Sequence, residues 1–580
     1  MYFTLAISAA TPEACAGLVS AATGTDPRVM PIPGPPSVTW RAADERAALV
    51  CWGLPPDGDQ VTASHAGTIW ADRDTLHART GVARVDPVYL AEVRGAAVVS
   101  DRACWAAAVT GRLDTHDPVM AGAFLAVGYP VGAVTPFRGV RALGCDQRLT
   151  VTGARLTMTS AGGGGALAGR ALAGRVGGGR YGAVAGALVD TVRPAGESGV
   201  QVELSLTGGK DSRLIAAALT AAKVPFRART HGFASHPDVV VAAMIASRLG
   251  VEHVVTEPRQ ADAGQPPDEA DLLARLRSAV LMSDGMLSAF ENIGRPDPRH
   301  AAEPVQAGGH GGELLRGGYA PPAWTDRRPA RAWSDARGVE LFRRLTTRRA
   351  GLLRPGAAAA YLASLAPYAV ALRRGSLRTL DDFYLANRAG RWSAAARQAY
   401  LMRSPLLQPF FDDRVVRAAR VVPLPDRITD RLHCGVLAEL CPDLLDLPLA
   451  GSSWKSGPRV PGVPAAQAAS GPGSPGAGPP GPAGREPGGG ADWRRAYGEQ
   501  MARLLREYTL DLGAAGGLFD LVRRSAAERV LRPPHADPAA AWALATMAAL
   551  LSGDWLNARE VSRGRISSPP ARRTARLPRA

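Results

Sequence analysis

The stretch VQVELSLTGGKDSRLIAAALTAA, residues 200 to 222, decides the fold. It divides into three parts. Val200 to Leu206 is β-branched and apolar, as a buried strand requires. Thr207-Gly208-Gly209-Lys210-Asp211 forms a tight loop. Ser212 to Ala222 is rich in Ala and Leu and predicts a helix whose start Ser212 can cap. A strand, a glycine turn and a helix N-terminus make an anion site. The glycines let backbone N–H groups approach a ligand, and the first helical turn offers unpaired N–H groups at the positive end of its dipole. The Asp211 carboxylate would repel a phosphate held there; it fits if Mg²⁺ lies between them. The usual kinase or ATPase loop ends in Gly-Lys-Ser/Thr, whereas here Lys210 is followed by Asp211.

Outward from this stretch, a second strand is predicted over Phe226 to His231, a helix from Pro237 to Leu249 and a strand over Glu252 to Thr256. Strands alternating with helices predict a doubly wound parallel sheet, with ligands at the carboxyl ends of its strands. Before it, residues 1 to 160 hold short apolar runs between turn residues (YFTLAIS, RAALVCWG, GAAVVSD, QRLTVTG), the pattern of an α+β domain on antiparallel sheets. Residues 161 to 180 are a Gly-rich linker. Residues 330 to 450 carry Ala, Leu and Arg at helical spacing, and 457 to 490 are a Pro/Gly low-complexity insertion that cannot pack a core. Helices resume over 491 to 558, where Ala539 to Leu551 is apolar almost all round and therefore buried.

Composition narrows the class. At 580 residues and 46% hydrophobic content, the chain can build two or three domains. Cys15, Cys51, Cys104, Cys145, Cys434 and Cys441 show no C-x-x-C spacing, which fits neither a zinc site nor a disulfide framework and points to a cytoplasmic setting. No apolar run reaches the roughly 18 residues a membrane helix needs, and the N-terminus, lacking a basic n-region, reads as a strand rather than a signal peptide. Much of the +16 net charge sits in a solvated tail, residues 559 to 580, with seven Arg against Glu560. No nucleic-acid motif occurs elsewhere. Only Lys210, Lys223 and Lys455 are lysines. A chain that uses Arg by default keeps Lys where a compact, flexible ammonium matters; Lys223, at a helix end, reads as surface.

Thr207-Gly208-Gly209-Lys210-Asp211-Ser212 resembles the Ser-Gly-Gly-x-Asp-Ser loop of the ATP pyrophosphatase family. The succession of this loop, the second strand, and Asp238 heading a helix that ends Arg248-Leu249-Gly250 is similar to the synthetase domain of asparagine synthetase. So is Ser283-Asp284-Gly285, more weakly. Gly308-Gly309-His310-Gly311-Gly312-Glu313-Leu314-Leu315-Arg316-Gly317-Gly318-Tyr319 resembles that family's Ser-Gly-Glu-Gly-Ala-Asp-Glu-Leu-Phe-Gly-Gly-Tyr without a gap, and Pro409 to Val416 resembles its Pro-Phe-Leu-Asp-x-Arg-Val-Val. Val99-Ser100-Asp101 and Phe137 to Val140 look like a degenerate glutaminase domain. The resemblance covers most of residues 1 to 456. It implies a glutaminase-like domain over 1 to 160, an ATP-binding domain over 181 to 456 completed by the helices of 491 to 558, and ATP and Mg²⁺ as cofactors. Leu206, Thr207, Gly208, Gly209, Asp211, Ser212, His231, Gly232, Ser283, Asp284, Gly308 and Gly309 would contact the nucleotide, with Asp211 and Glu313 on the metal.

The departures redirect the chemistry. The family's glutaminase uses a cysteine immediately after the initiator Met; here that place is Tyr2, which is neither thiol nor N-terminal base, so glutamine hydrolysis is expected to be absent. The family's ammonia-site Glu falls on His310 and its metal Asp on Glu313. An amine already on the substrate needs no glutamine, and two relatives work this way: lasso-peptide cyclases and β-lactam synthetases. In the latter a C-terminal lysine stabilises ring closure, a role that Lys455, in Ser452-Ser453-Trp454-Lys455, can fill electrostatically. His310 can take a proton from the attacking amine. His236 joins His231 near the expected adenosine, while Trp392, Trp454 and Trp542 read as core or substrate wall. The expectation is an ATP-dependent ligase that adenylylates an Asp or Glu side chain of a precursor peptide and closes a macrolactam with its amino terminus. A leader-peptide-binding protein and a leader peptidase are candidate partners; nucleic acid and membrane are not. The alternatives are an ammonia-using asparagine synthetase, a β-lactam-type ligase, or a non-catalytic nucleotide-binding scaffold.

Overall fold

A computed structural model describes residues 2–29, 36–53, 68–72, 75–160, 181–257, 269–291, 304–321, 335–374, 378–455, 499–533 and 537–557. The Gly-rich linker, the Pro/Gly insertion and the basic tail lie outside them.

The described residues among the first 160 supply ten strands: β1 Tyr2–Ala9, β2 Ser37–Arg41, β3 Ala47–Gly53, β4 Thr68–Asp72, β5 Thr75–Arg79, β6 Tyr89–Val93, β7 Ala96–Ser100, β8 Val140–Ala142, β9 Gln147–Thr152 and β10 Arg155–Ser160. They form two antiparallel sheets, ordered β2-β3-β1-β7-β6-β8 and β10-β9-β5-β4. Alternation along each strand decides what each face covers. In β1, Ala6 faces the second sheet, meeting Leu76, Leu149 and Val151. Leu5 and Ile7 face the other way, onto helices Pro12–Thr23, Ala103–Val109 and Pro118–Val127 through Cys15, Trp105 and Phe124. That second core does not stop at residue 160. It runs on through Leu276 and Tyr361 to Trp542, so the first sheet and the C-terminal helices share one apolar interior.

The next layer is a parallel sheet of β11 Val202–Ser205, β12 Phe226–His231, β13 His253–Thr256, β14 Val305–Gly308 and β15 Leu406–Leu407, ordered β13-β12-β11-β14-β15. This is a doubly wound order, and the order in which strands are added reverses between β11 and β14, where such sheets open a ligand crevice. Val202, Leu204, Ala228 and Ala307 pack against Leu214, Ala217 and Ala218 of the helix Lys210–Ala221 and against Leu188 of Gly182–Glu197. On the opposite face, Glu203 pairs with Arg227 and Arg229 from β12. Burial pushes the Glu203 carboxyl up, but the two guanidiniums outweigh it and hold it below its ordinary value.

The remaining chain is helical. Pro538–Ser552 is buried from Ala540 to Leu550, as its all-round apolar sequence requires, and Asp537 caps it while paired with Arg349 at 2.8 Å. Pro355–Arg373 corrects one expectation. At 19 residues it is long and apolar enough, by composition, to cross a bilayer; Gly356, Ser364 and Pro367 break the apolar run without ending the helix. Here Tyr361, Leu365 and Leu372 pack inward, and the Tyr361 hydroxyl donates to the Thr346 carbonyl at 2.6 Å.

Candidate functional site

The site assembles at the β11–β14 crevice. Leu206 is buried, its N–H donating to the Arg229 carbonyl and its own carbonyl accepting from the Thr230 hydroxyl at 2.7 Å. The Thr207 N–H donates to Ser212 Oγ at 3.1 Å, and the Gly208 N–H to Asp238 Oδ1 at 3.0 Å. A Cβ on Gly208 would lie 2.5 Å from the Ala450 Cβ and 2.9 Å from the Val241 Cβ, so only glycine fits. The helix starts at Lys210 with Gly209 as its N-cap. Ser212 therefore does not cap it from outside, as the sequence suggested; it sits inside the first turn and its hydroxyl fastens the loop back on Thr207.

Asp211 projects from that first turn into a ring of basic side chains. Its Oδ2 accepts from Arg316 at 2.7 Å and its Oδ1 faces His433 Nε2 at 3.0 Å. Burial raises the Asp211 carboxyl, but Arg316, His433 and Lys210 prevail and its pKa falls below the ordinary value. The segment after β14 wraps round this side chain. A Cβ on Gly309 would stand 2.9 Å from the Asp211 Cβ, and one on Gly312 would overlap the carboxyl itself. Glu313 follows, 3.3 Å from the same Arg316 guanidinium.

A second carboxylate gathers the lysines. Asp430, fully buried and in the left-handed region at φ +64°, accepts from Lys210 Nζ at 2.6 Å and from the Lys455 backbone N–H at 3.1 Å. Lys455 Nζ donates to the Ile428 carbonyl at 3.2 Å. Burial lowers the Lys455 ammonium pKa, with Lys210 and Arg316 adding to this and Asp430 opposing it. Two of the three lysines thus converge on one carboxylate. Lys210 also lies 5.4 Å from the Trp454 ring centroid. Asp430 Oδ1 and His433 Nδ1 are buried with no hydrogen-bond partner among the described residues.

The other sequence candidates divide. His231 is exposed at the carboxyl end of β12, with Gly232 beside it donating to the Thr256 carbonyl. Gly308 ends β14, and His310 stands over it at the mouth of a cavity; burial lowers the His310 pKa against the opposing pull of Glu313. His236 caps the helix Pro237–Leu249, accepting from the Asp238 N–H. Ser283 and Asp284 are corrections. Both are fully buried away from the crevice: Ser283 bonds the Ala279 carbonyl within its own helix, and Asp284 is spent on the Arg102 guanidinium and the Ala103 N–H. Arg102 is itself sealed in the core, so this pair ties the first domain to the helical layer and is out of a nucleotide's reach. Arg316, Asp430, His433 and Asp238 were not singled out as site residues by the sequence.

Asp211 and Glu313 bracket a single positive group, and no cluster of three or more His, Cys, Asp or Glu suited to a metal occurs among the described residues. Two carboxylates and no cage is the donor set that suits Mg²⁺, which takes one or two carboxylates and completes its shell with waters and substrate phosphates. Asp211 and Glu313 would hold it, and it would supply positive charge against a departing pyrophosphate.

A glycine loop at a sheet switch point, a helix N-terminus behind it, and a carboxylate projecting from its first turn define an α/β nucleotide-binding site. Residues 183–449 match the asparagine synthase family model. The match spans the crevice, from the helix that packs beneath β11 to the segment leading into Lys455, and less than half of the chain. A domain of this family implies an ATP-dependent ligase that forms amides and releases AMP and pyrophosphate. No curated protein matches the chain.

Proposed function

We propose that the chain is a macrolactam-forming ligase of the lasso-cyclase type, working in the cytoplasm on a precursor peptide. An oxygen of an Asp or Glu side chain attacks the α-phosphorus of ATP and pyrophosphate leaves. The peptide's amino nitrogen then attacks the activated carbonyl carbon, AMP departs, and the nitrogen gives up a proton. The observation that carries the reading is the meeting of Lys210 and Lys455 at Asp430 beside Asp211. An ammonium there would stabilise the charge that builds during both steps. Tyr2 in place of a nucleophilic cysteine, and His310 in place of a glutamate, favour an amine that the substrate itself brings. Kept neutral by burial, His310 can accept the proton. Holding amine and acyl group together can supply roughly 7–11 kcal/mol of the barrier. Six free cysteines suit a reducing compartment. A leader-peptide-binding protein and a leader peptidase are the partners this reading calls for.

A second reading, a nucleotide-binding scaffold without turnover, is favoured by one observation: Arg316 already spans Asp211 and Glu313. One experiment separates them. The full chain is given ATP, Mg²⁺ and synthetic peptides bearing Asp or Glu several residues after a small N-terminal residue. AMP together with a peptide lighter by one water supports the cyclase. AMP only with ammonia and aspartate points to asparagine synthesis, and no AMP with any substrate leaves the scaffold.

A further inference from the structure

Across β14 from the phosphate loop lies a cavity of about 280 Å³, lined by Ser205 of β11, Gln306 and Gly308 of β14, His310, and Arg403 with Ser404 from the turn before β15. Among the described residues, no acidic one lines it. Arg403 is the one formally charged side chain in the lining, and it has no ion-pair or side-chain hydrogen-bond partner among the described residues. The guanidiniums of Arg227 and Arg229 are both engaged by Glu203. Gln306 in the lining donates its amide N–H to Glu203 at 3.3 Å. His310 adds a ring but no lasting charge, because burial favours its neutral form.

We infer that this cavity is a carboxylate subsite, in which the Arg403 guanidinium receives the acidic side chain that the ligase activates. A half-buried guanidinium without a counter-ion, set among amides and hydroxyls, matches a planar carboxylate through two parallel hydrogen bonds. Phosphate is better served on the other side of β14, where the glycine loop, helix N-terminus and Lys210 converge. The volume falls just below the roughly 300–1,000 Å³ of drug-sized ligand sites, so one acidic residue enters and not a folded peptide. The stem Gly308-Gly309-His310 joins the two compartments: Gly308 forms the cavity wall, and Gly309 packs on Asp211. A carboxylate on Arg403 thus waits one strand away from the triphosphate side. The assignment to the acyl donor rests on the ligase reading above; the affinity for a carboxylate does not.

The test is calorimetry on the full chain without nucleotide, with glutarate as probe, its neutral isostere glutaramide as control, and inorganic phosphate as competitor. Arg403→Gln is expected to weaken glutarate at least tenfold, and Arg403→Lys less, while glutaramide binding and the thermal midpoint stay unchanged. Glutarate binding that is absent in the parent chain, or equal in the parent and Arg403→Gln, overturns the subsite. So does phosphate binding more tightly than glutarate with the same dependence on Arg403. Because nucleotide is left out, failure here condemns the subsite alone. Intact glutarate binding with no AMP formed from any peptide condemns the ligase reading alone.

Discussion

Asp211 is held by opposing forces. Its carboxylate is half-buried yet keeps its charge because Arg316 and His433 touch it. Replacing it with Asn preserves the shape and removes the charge a metal needs. Asp211→Asn is expected to cut pyrophosphate release by about 100-fold or more, with the thermal midpoint little changed; a coupled pyrophosphate assay and a melt decide it. Lys455 behaves differently. Its backbone N–H, not its ammonium, bonds Asp430, so truncating the side chain leaves the Asp430–Lys210 pair intact. Lys455→Ala should therefore retain ATP–pyrophosphate exchange while ring closure slows by about 100-fold. A variant that yields cyclic product at the parent rate refutes the role. The sequence could point to Lys210, Asp211 and Lys455 because each stands out locally, by motif or by the scarcity of lysine. His433 and Asp430 carry no such signal: one is a single histidine in an amphipathic helix, the other an aspartate before it, and only folding brings them to Asp211 and Lys210 across more than 200 residues. Asp284 misled for the opposite reason, since a short local likeness hid a partner 182 residues away.

Among the elements, two glycines of the crevice separate packing from chemistry. Gly208 faces the Cβ atoms of Ala450 and Val241, neither of which can rotate aside. Gly208→Ala is expected to destabilise the chain by about 1–3 kcal/mol, as overpacking does, seen as a lower denaturation midpoint. Gly312 faces the Asp211 side chain, where an added Cβ would meet both the carboxyl and, at 2.7 Å, the Asp211 Cβ. Gly312→Ala should therefore lower the midpoint as well and in addition lose pyrophosphate release, because Asp211 is driven off Arg316 and His433. A Gly312→Ala chain that releases pyrophosphate at the parent rate would contradict this. β12 and the helix Pro237–Leu249 were legible to the residue, since β-branched residues, the Pro237 start and the Gly250 stop each mark a boundary. β14 and β15 were not. Four residues reading VQAG and two reading LL are too short to show a period, and only pairing, β14 with β11 and β15 with β14, makes them strands.

At the scale of the molecule, the first domain is fastened to the last helices through a polar seam as well as the shared core. Asp101 accepts from the Thr4 N–H at 3.0 Å, and its other oxygen is sealed without a partner among the described residues. Burial pushes its pKa up to about 8, against the pull of Thr4 and Arg102. Between pH 4 and 8 the unfolded chain has released this proton and the folded chain retains it. Stability therefore falls as pH rises through that window, by at most about 1.4 kcal/mol per unit. Asp101→Asn keeps the acceptor and removes the titration, so its advantage over the parent should grow from pH 5 to pH 8 in denaturant melts; a constant gap would mean Asp101 ionises freely. The broad architecture was legible because alternation and loop chemistry are local. The welding of its parts was not, because Arg102, Asp284 and Trp542 meet only in three dimensions.

The Arg102–Asp284 bond also bears on what the opening domain does for the rest of the chain. Deleting that domain would strand an aspartate in oil and bare one wall of the helices on which the crevice is mounted. The opening domain is thus masonry for the helices behind the crevice.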